Sequence, residues 1–208
     1  MVMRGLCLVS VFLALTACGA PQIDAATRAT LPHSVPPDVA EVQYSRRDVS
    51  YPASGLVAAD LRRSMASYAA ANWSEPEAAG MTTSILATDL RCQEYSDGGA
   101  VRTATVKLSL TVQLPVWPAA GSAPLQLQQS WDGFSRALRA HEEGHVKIAS
   151  DYAQALRKAL LSLPVEDSCP SLIRRATTIT HRAEERMTRA QNDYDAKTNH
   201  GATQGCIL

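Results

Sequence analysis

A helical stripe interrupted by two histidines constrains the fold of this chain more than any other feature. Between residues 127 and 159, large or apolar side chains recur at steps of alternately four and three residues, the spacing of one face of an α-helix. The members of the stripe are Leu127, Trp131, Phe134, Leu138, His141, His145, Ile148, Tyr152, Ala155 and Ala159. We therefore predict a long helix, centred on residues 131–155, that buries this face.

The two histidines of the stripe belong to the sequence His-Glu-Glu-Gly-His. Residues four positions apart on a helix lie one above the other, so the imidazoles of His141 and His145 are close enough to bind one metal ion. In the His-Glu-x-x-His pattern, the glutamate after the first histidine is the general base that acts on a metal-activated water. The pattern predicts Zn2+ as cofactor and Glu142 as catalytic base.

The alternative is a pair of core histidines, hydrogen-bonded to nearby backbone, beside an exposed glutamate pair. The apolar flanks of the stripe favour the metal site, because a buried imidazole without a partner is costly. Gly144 lies between the histidines and costs a helix about 1 kcal/mol relative to alanine. Its presence suggests that another group approaches the helix closely at this point.

The amino terminus, residues 1–18, has the organisation of a signal peptide. Arg4 precedes an apolar run that is too short to cross a bilayer as a helix. The ending Leu15-Thr16-Ala17-Cys18 resembles the lipobox of bacterial lipoproteins, which implies a lipid anchor on Cys18 after cleavage. Gly19 differs from the aspartate that retains such proteins in the inner membrane, so we expect an outer-membrane lipoprotein facing the periplasm. The alternative is ordinary signal cleavage, with Cys18 incidental.

Composition divides the remainder of the chain into two parts. Residues 19–40 are rich in Pro, Ala, Thr and Ser without apolar periodicity and predict a flexible tether. Residues 41–208 are long enough to form one domain with its own core. The chain carries 20 basic and 20 acidic side chains, and this balance gives no indication of a nucleic-acid partner.

The periodicity of apolar and polar residues within the domain predicts a small sheet and three helices. We expect a short strand at residues 42–44, a helix at 60–71 and a hairpin over 86–114, whose second strand alternates apolar and polar side chains. A capped helix should begin near Pro170 and end near residue 190, and the polar segment 192–201 should form a loop. The expected class is α+β, with a small antiparallel sheet packed on two antiparallel helices. The strand at 101–114 is a candidate to dock an extended peptide by strand addition.

Three cysteines lie outside the signal peptide, and an oxidising envelope permits a disulfide between two of them. The sequence alone does not determine the pairing. We predict a Cys92–Cys169 bridge, which would join the sheet to the start of the last helix. Cys206 would then be free or lie near the metal.

A catalytic zinc ion usually has three protein ligands and one open position. We predict His200 as the third ligand, because it offers a neutral nitrogen donor in the expected loop. Asp195 is expected behind a ligand imidazole or as the alternative third ligand, and Tyr194 as an oxyanion partner. His181, Glu184 and Glu185 are expected to be surface groups rather than ligands. The alternative is that the segment containing His200 is a solvated tail, in which this histidine binds no metal.

Taken together, these motifs resemble a bacterial family of uncharacterised secreted proteins described as predicted zinc-dependent proteases. The resemblance covers most of the region after the tether and is carried by His141-Glu142-Glu143-Gly144-His145, Leu114-Pro115-x-Trp117, Trp131, Cys92, Cys169 and Tyr194-Asp195-x-x-Thr198-x-His200-Gly201. It implies a zincin-like metallopeptidase. The chain departs from better-known zincins, because Ile148 and Asp151 stand where metzincins have a glycine and the third histidine.

The function expected from these residues is hydrolysis of peptide bonds in the cell envelope, with Glu142 activating water at a zinc ion. A hydrolase of cell-wall peptides would differ only in its substrate. The competing class is a non-catalytic envelope lipoprotein, in which a structural zinc stabilises a binding module. In that case Asp195 or Cys206 would close the metal shell, and a general base would have no role.

Overall fold

The computed structural model describes residues 39–208 apart from position 76. The predicted signal peptide, the lipid anchor on Cys18 and the tether up to residue 38 lie outside the described residues. Among the described residues, no helix combines the length and the apolarity that crossing a membrane requires.

The described chain forms an α+β structure, as predicted. In chain order the elements are β1 (Val39–Pro52), α1 (Ala58–Asn72), β2 (Met81–Tyr95), β3 (Gly98–Val116), α2 (Leu125–Leu161) and α3 (Cys169–Thr198). Two short 3-10 helices, Ala120–Ser122 and Ala202–Gln204, precede α2 and follow α3. The long helix and the hairpin therefore lie where the sequence pattern predicted them.

The three strands form a mixed sheet in the order β1-β3-β2. β2 and β3 pair antiparallel, whereas β1 pairs parallel with β3 from Val39 opposite Thr103 to Pro52 opposite Val116. The prediction of a purely antiparallel sheet was wrong, because the chain passes through α1 and β2 before β3 returns beside β1 in the same direction. β3 is the central strand with both edges paired, so it cannot receive a peptide by strand addition.

One face of the sheet is covered by α2 and α3. The predicted apolar side chains of β3 are buried at Ala104, Val106, Leu108, Leu110, Val112 and Leu114, which confirms the alternation along this strand. On α2 the buried face follows the predicted stripe as far as His145 and then continues through Ala149, Ala153, Leu156 and Leu160. The predicted continuation through Ile148 and Tyr152 was one residue out of phase, because three- and four-residue steps are both compatible with a helical face.

Helix α3 starts as predicted but is longer than predicted. The Ser168 hydroxyl accepts a hydrogen bond from the Ser171 amide at the cap, and Pro170 lies in the first turn. The helix continues to Thr198, so the prediction of a loop from residue 192 was wrong. Polar residues in this last stretch, such as Asp195, contribute to a buried polar site, and their polarity therefore does not mark a loop. Asn199 ends the helix in the left-handed conformation, with φ of 49°.

The Cys92–Cys169 disulfide is present, which confirms the predicted pairing and leaves Cys206 as a free thiol. The bridge joins the end of β2 to the first residue of α3. It closes a sequence separation of 77 residues, which restricts the unfolded chain more than the folded one.

Replacing both bridged cysteines by serine is expected to lower the free energy of unfolding by about 2–4 kcal/mol, because the unfolded state regains the entropy of the open loop. Denaturant unfolding monitored by circular dichroism measures this. The wild-type protein in excess dithiothreitol should match the double variant, and the variant itself should be insensitive to the reductant. Equal stability of wild type and variant under oxidising conditions would contradict the stabilising role.

Glu184 of α3 was predicted to be a surface group, but it is buried. Its side chain is 6% exposed, and Oε1 has no hydrogen-bond partner among the described residues. The helix face from Leu172 to Met187 carries Glu184 inward, whereas Glu185 points outward. Burial raises the pKa of Glu184, and His181, which lies 3.8 Å from its other oxygen, only partly opposes this.

Substituting Glu184→Gln is expected to raise the free energy of unfolding by about 1 kcal/mol at neutral pH, because the folded protein no longer holds a poorly solvated carboxylate. The folded pKa lies above the unfolded one, so the gain should shrink as pH falls through the folded value and vanish below about 4. Urea unfolding at several pH values measures it. The exposed neighbour provides the control, since Glu185→Gln should change stability by less than about 0.5 kcal/mol.

Candidate metal centre

Helices α2 and α3 bring three potential metal ligands to one point. His141 and His145 lie on the inward face of α2 and are 4% and 8% exposed, and Asp195 projects from the last turns of α3. Asp195 Oδ1 is 3.1 Å from His141 Nε2 and 2.9 Å from His145 Nε2. The two Nε2 atoms are 3.2 Å apart. This buried group could bind a metal ion.

The far side of each imidazole is held by a glutamine. His145 Nδ1 donates to Gln191 Oε1 at 2.5 Å, and the amide nitrogen of Gln191 donates to the His145 carbonyl at 3.1 Å. The second bond determines which way the amide points, so Nδ1 carries the ring proton. His141 Nδ1 makes the corresponding contact with Gln204 Oε1 at 2.9 Å. With Nδ1 protonated, a neutral imidazole has its lone pair on Nε2, which is the atom that each histidine directs toward the common point.

Three electron-pair donors that converge in this way fit a cation. A metal ion at this point would be bound by His141 Nε2, His145 Nε2 and the Asp195 carboxylate, and it would take the place of any proton between these atoms. Tetrahedral zinc with bonds of about 2.05 Å would separate its donors by about 3.3 Å, close to the separations between these three atoms. Burial favours the protonated form of Asp195, but the two imidazoles outweigh it and hold the pKa of this carboxyl below its usual range. Asp195 is therefore an anionic donor.

Glu142 lies beside this group and is also buried, with 3% of its surface exposed. The Thr82 hydroxyl of β2 donates to Glu142 Oε2 at 2.6 Å. Burial raises the pKa of Glu142, while the Thr82 hydrogen bond and the two imidazoles act in the opposite direction. Gly80 allows this arrangement, because a Cβ at that position would lie 2.5 Å from Glu142 Oε1.

Glu143, the second glutamate of the motif, points away from the group. Arg46 of β1 donates to both of its carboxylate oxygens, at 2.6 and 2.9 Å. This pair ties the outer side of α2 to the edge of the sheet and lowers the pKa of Glu143. Of the two glutamates, only Glu142 is in a position to act at the metal centre.

Tyr194 accounts for the glycine in the middle of α2. Its ring stacks on His141 with centroids 5.0 Å apart and planes inclined by 13°, and it meets the His145 ring edge-on. A side chain at Gly144 would collide with the Tyr194 hydroxyl. The predicted close approach to the helix is confirmed, and Tyr194 is the group that makes it.

His200, predicted as the third ligand, lies beyond the end of α3. It is exposed, has φ of 50° and lines the same cleft, but the group of converging donors contains Asp195 instead. Because α3 continues past residue 192, Asp195 falls on its buried face, one helical turn from Gln191. Cys206 also lines the cleft, and burial together with Glu142 raises the pKa of its thiol to about 11.

Sequence reasoning missed three residues that hold the site in place, namely Gln191, Thr82 and Gln204. Gln191 and Asp195 are four residues apart and continue the helical spacing of Met187, so an extended period count would have placed them on one face. Thr82 and Gln204 carry no comparable signal, because their contacts with Glu142 and His141 cross between distant parts of the chain.

The fold and the site together define an α+β protein with a candidate metal centre built between two long helices. The chain belongs to a family of bacterial proteins of unknown function, DUF922, whose family model matches residues 49–201. The matched region extends from the end of β1 to the residue after His200 and contains the whole donor group. No curated protein and no solved structure is significantly similar to the chain.

The geometry favours Asp195 over His200 as the third ligand, and metal analysis of two variants decides between them. Asp195→Ala is expected to remove the metal, because it deletes an anionic donor from a buried site. His200→Ala should change metal affinity by less than about 3-fold. Competition with a chromophoric chelator measures both, and His181→Ala, which alters an exposed histidine, serves as control. Loss of the metal in His200→Ala with retention in Asp195→Ala would assign the ligand to His200.

Proposed function

We propose that this protein is a zinc-dependent peptidase of the cell envelope. The observation that carries the proposal is the position of Glu142, a buried carboxylate held by Thr82 next to three converging metal donors. A metal site with a purely structural role has no use for such a carboxylate. Burying it without a function would cost stability, because burial favours its protonated form.

Zinc is the metal that suits two imidazoles and one carboxylate in a compact, buried group. Three protein ligands are typical of catalytic zinc, and His141, His145 and Asp195 would supply them in a zincin-like arrangement. When bound, the ion would supply Lewis acidity, which lowers the pKa of water and polarises a carbonyl group.

The protein's own residues would perform the proton transfers. Glu142 would take a proton from the attacking water and pass it to the leaving amine, as general base and then general acid. Burial strengthens it as a base, because it disfavours the ionised carboxylate. The Thr82 hydroxyl donates to Oε2, so Oε1 would be the oxygen that receives the proton. Gln191 and Gln204 would keep the ligand imidazoles in the required tautomer.

The predicted lipid anchor on Cys18 would place this activity at the periplasmic face of the outer membrane. Residues 19–38 would separate the domain from the lipid surface. Peptides or proteins of the envelope would then be the substrates.

Glu142→Gln is expected to keep the metal and the fold but to lower peptide hydrolysis by at least 10²–10⁴-fold, because an amide cannot accept the proton. Hydrolysis of a quenched-fluorescence peptide mixture, metal content and melting temperature are the three measurements. The matched control is Glu143→Gln, which removes the neighbouring carboxylate that pairs with Arg46 and should retain turnover.

If Glu142→Gln and wild type hydrolyse the mixture at the same rate, Glu142 is not the base. If neither protein hydrolyses any peptide while both hold stoichiometric metal, the result favours the alternative of a non-catalytic binding module.

A further inference from the structure

The cleft that opens onto the metal centre has an acidic lining. Its walls are the segment between α1 and β2, the start of β2, and α3 from Met187 to Asp195. The acidic groups that line it are Glu75, Glu77, Glu142 and Asp195. Three histidines also line it, but no lysine or arginine of the described residues does. The cleft is therefore lined by four carboxylates, and a divalent ion at the candidate metal centre would neutralise only two negative charges.

Glu75 and Glu77 are the carboxylates that the metal centre does not use. Glu75 is half-buried and Glu77 is exposed, and neither forms an ion pair with another described residue. Their charges therefore add to the negative potential at the cleft entrance. A negative potential in a cleft attracts cationic ligands and disfavours anionic ones.

A second, independent feature of the cleft indicates that a ligand forms hydrogen bonds inside it. Ser84 lines the cleft and is 8% exposed, and its Oγ has no hydrogen-bond partner among the described residues. Ser84 follows Thr82 by two residues on β2, so both hydroxyls are on the same side of the strand. A buried hydroxyl without a partner costs stability, and a polar group of a bound ligand would recover that cost.

We infer that this cleft selects peptides that carry a cationic group, an ammonium or a guanidinium, which binds against Glu75 and Glu77 while the peptide hydrogen-bonds to Ser84. The peptide nature of the ligand rests on the proposed function, whereas the charge preference rests on the lining of the cleft. The cation has two possible sources, the side chain of a lysine or arginine and a free amino terminus.

Binding of fluorescent hexapeptides to zinc-loaded Glu142→Gln protein, followed by anisotropy, tests the inference without requiring turnover. Three peptides share one neutral, amino-acetylated sequence and differ only in a central Lys, Gln or Glu. A fourth has the central Gln and a free amino terminus. We expect the Lys peptide to bind about 3- to 10-fold more tightly than the Gln peptide and the Glu peptide more weakly still. The difference should shrink as salt is raised.

Removing the charges of Glu75 and Glu77 in the zinc-loaded Glu142→Gln protein tests whether these two residues cause the preference. Adding Glu75→Gln and Glu77→Gln together should reduce the Lys preference to within about 2-fold. The matched control, Asp97→Asn with Asp167→Asn, removes two exposed charges near the disulfide and should leave the preference unchanged. If the amino-terminal peptide alone binds tightly, the cation is the chain terminus rather than a side chain.

Ser84→Ala separates a ligand-binding role from a structural one. Because Ser84 Oγ has no partner among the described residues, this variant should keep or raise the melting temperature while binding the Lys peptide about 3- to 10-fold more weakly. A lower melting temperature with unchanged affinity would show that the hydroxyl serves the fold and would overturn this part of the inference.

The charge preference is overturned if all four peptides bind equally, if none of the peptides binds at millimolar concentration, or if the Glu75/Glu77 variant keeps the full preference for the cationic peptide. Failure of the proposed function gives a different result. In that case wild type cleaves none of the four peptides, although its preference for the cation persists.

Discussion

The convergence of Asp195 on two imidazoles is the interaction on which the rest of the structure depends. Asp195 Oδ1 lies 2.9 and 3.1 Å from the two Nε2 atoms of His145 and His141, which requires α2 and α3 to pack closely along their lengths. Gly144 makes this packing possible, because the Tyr194 side chain occupies the space that any larger residue would need. The helix interface and the candidate metal centre are therefore one feature, and a change to either alters the other.

Burying this many polar groups requires a partner for each, and the partners come from three parts of the chain. Gln191 and Asp195 come from α3, Thr82 from β2 and Gln204 from the 3-10 turn after α3. The glutamines are neutral acceptors, so they orient the imidazoles without adding negative charge to a site that already contains two carboxylates. The sheet contributes by placing Thr82 under Glu142, which is why the hairpin has to pack against the middle of α2.

Local patterns predicted the parts of the fold that depend on neighbouring residues. Steps of four and three residues predicted the long helix with His141 and His145 on its buried face, and strict alternation predicted β3. The direction of β1 was not predictable in this way, because its pairing with β3 depends on the path of the chain through α1 and β2. The last turns of α3 were missed because a polar stretch that lines a buried site has the same composition as a loop.

The sequence by itself determined two donors and the carboxylate beside them, since His141, Glu142 and His145 owe their relative positions to a single helix. It also indicated, through Gly144, that another group approaches the helix closely, whereas the Cys92–Cys169 pairing was one of several that the sequence allowed. Only the tertiary structure decided that Asp195 rather than His200 meets the two imidazoles, and that Thr82 and the two glutamines hold the site. These contacts join elements far apart in the chain, and their geometry follows from how α2, α3 and the sheet pack, which no local spacing encodes.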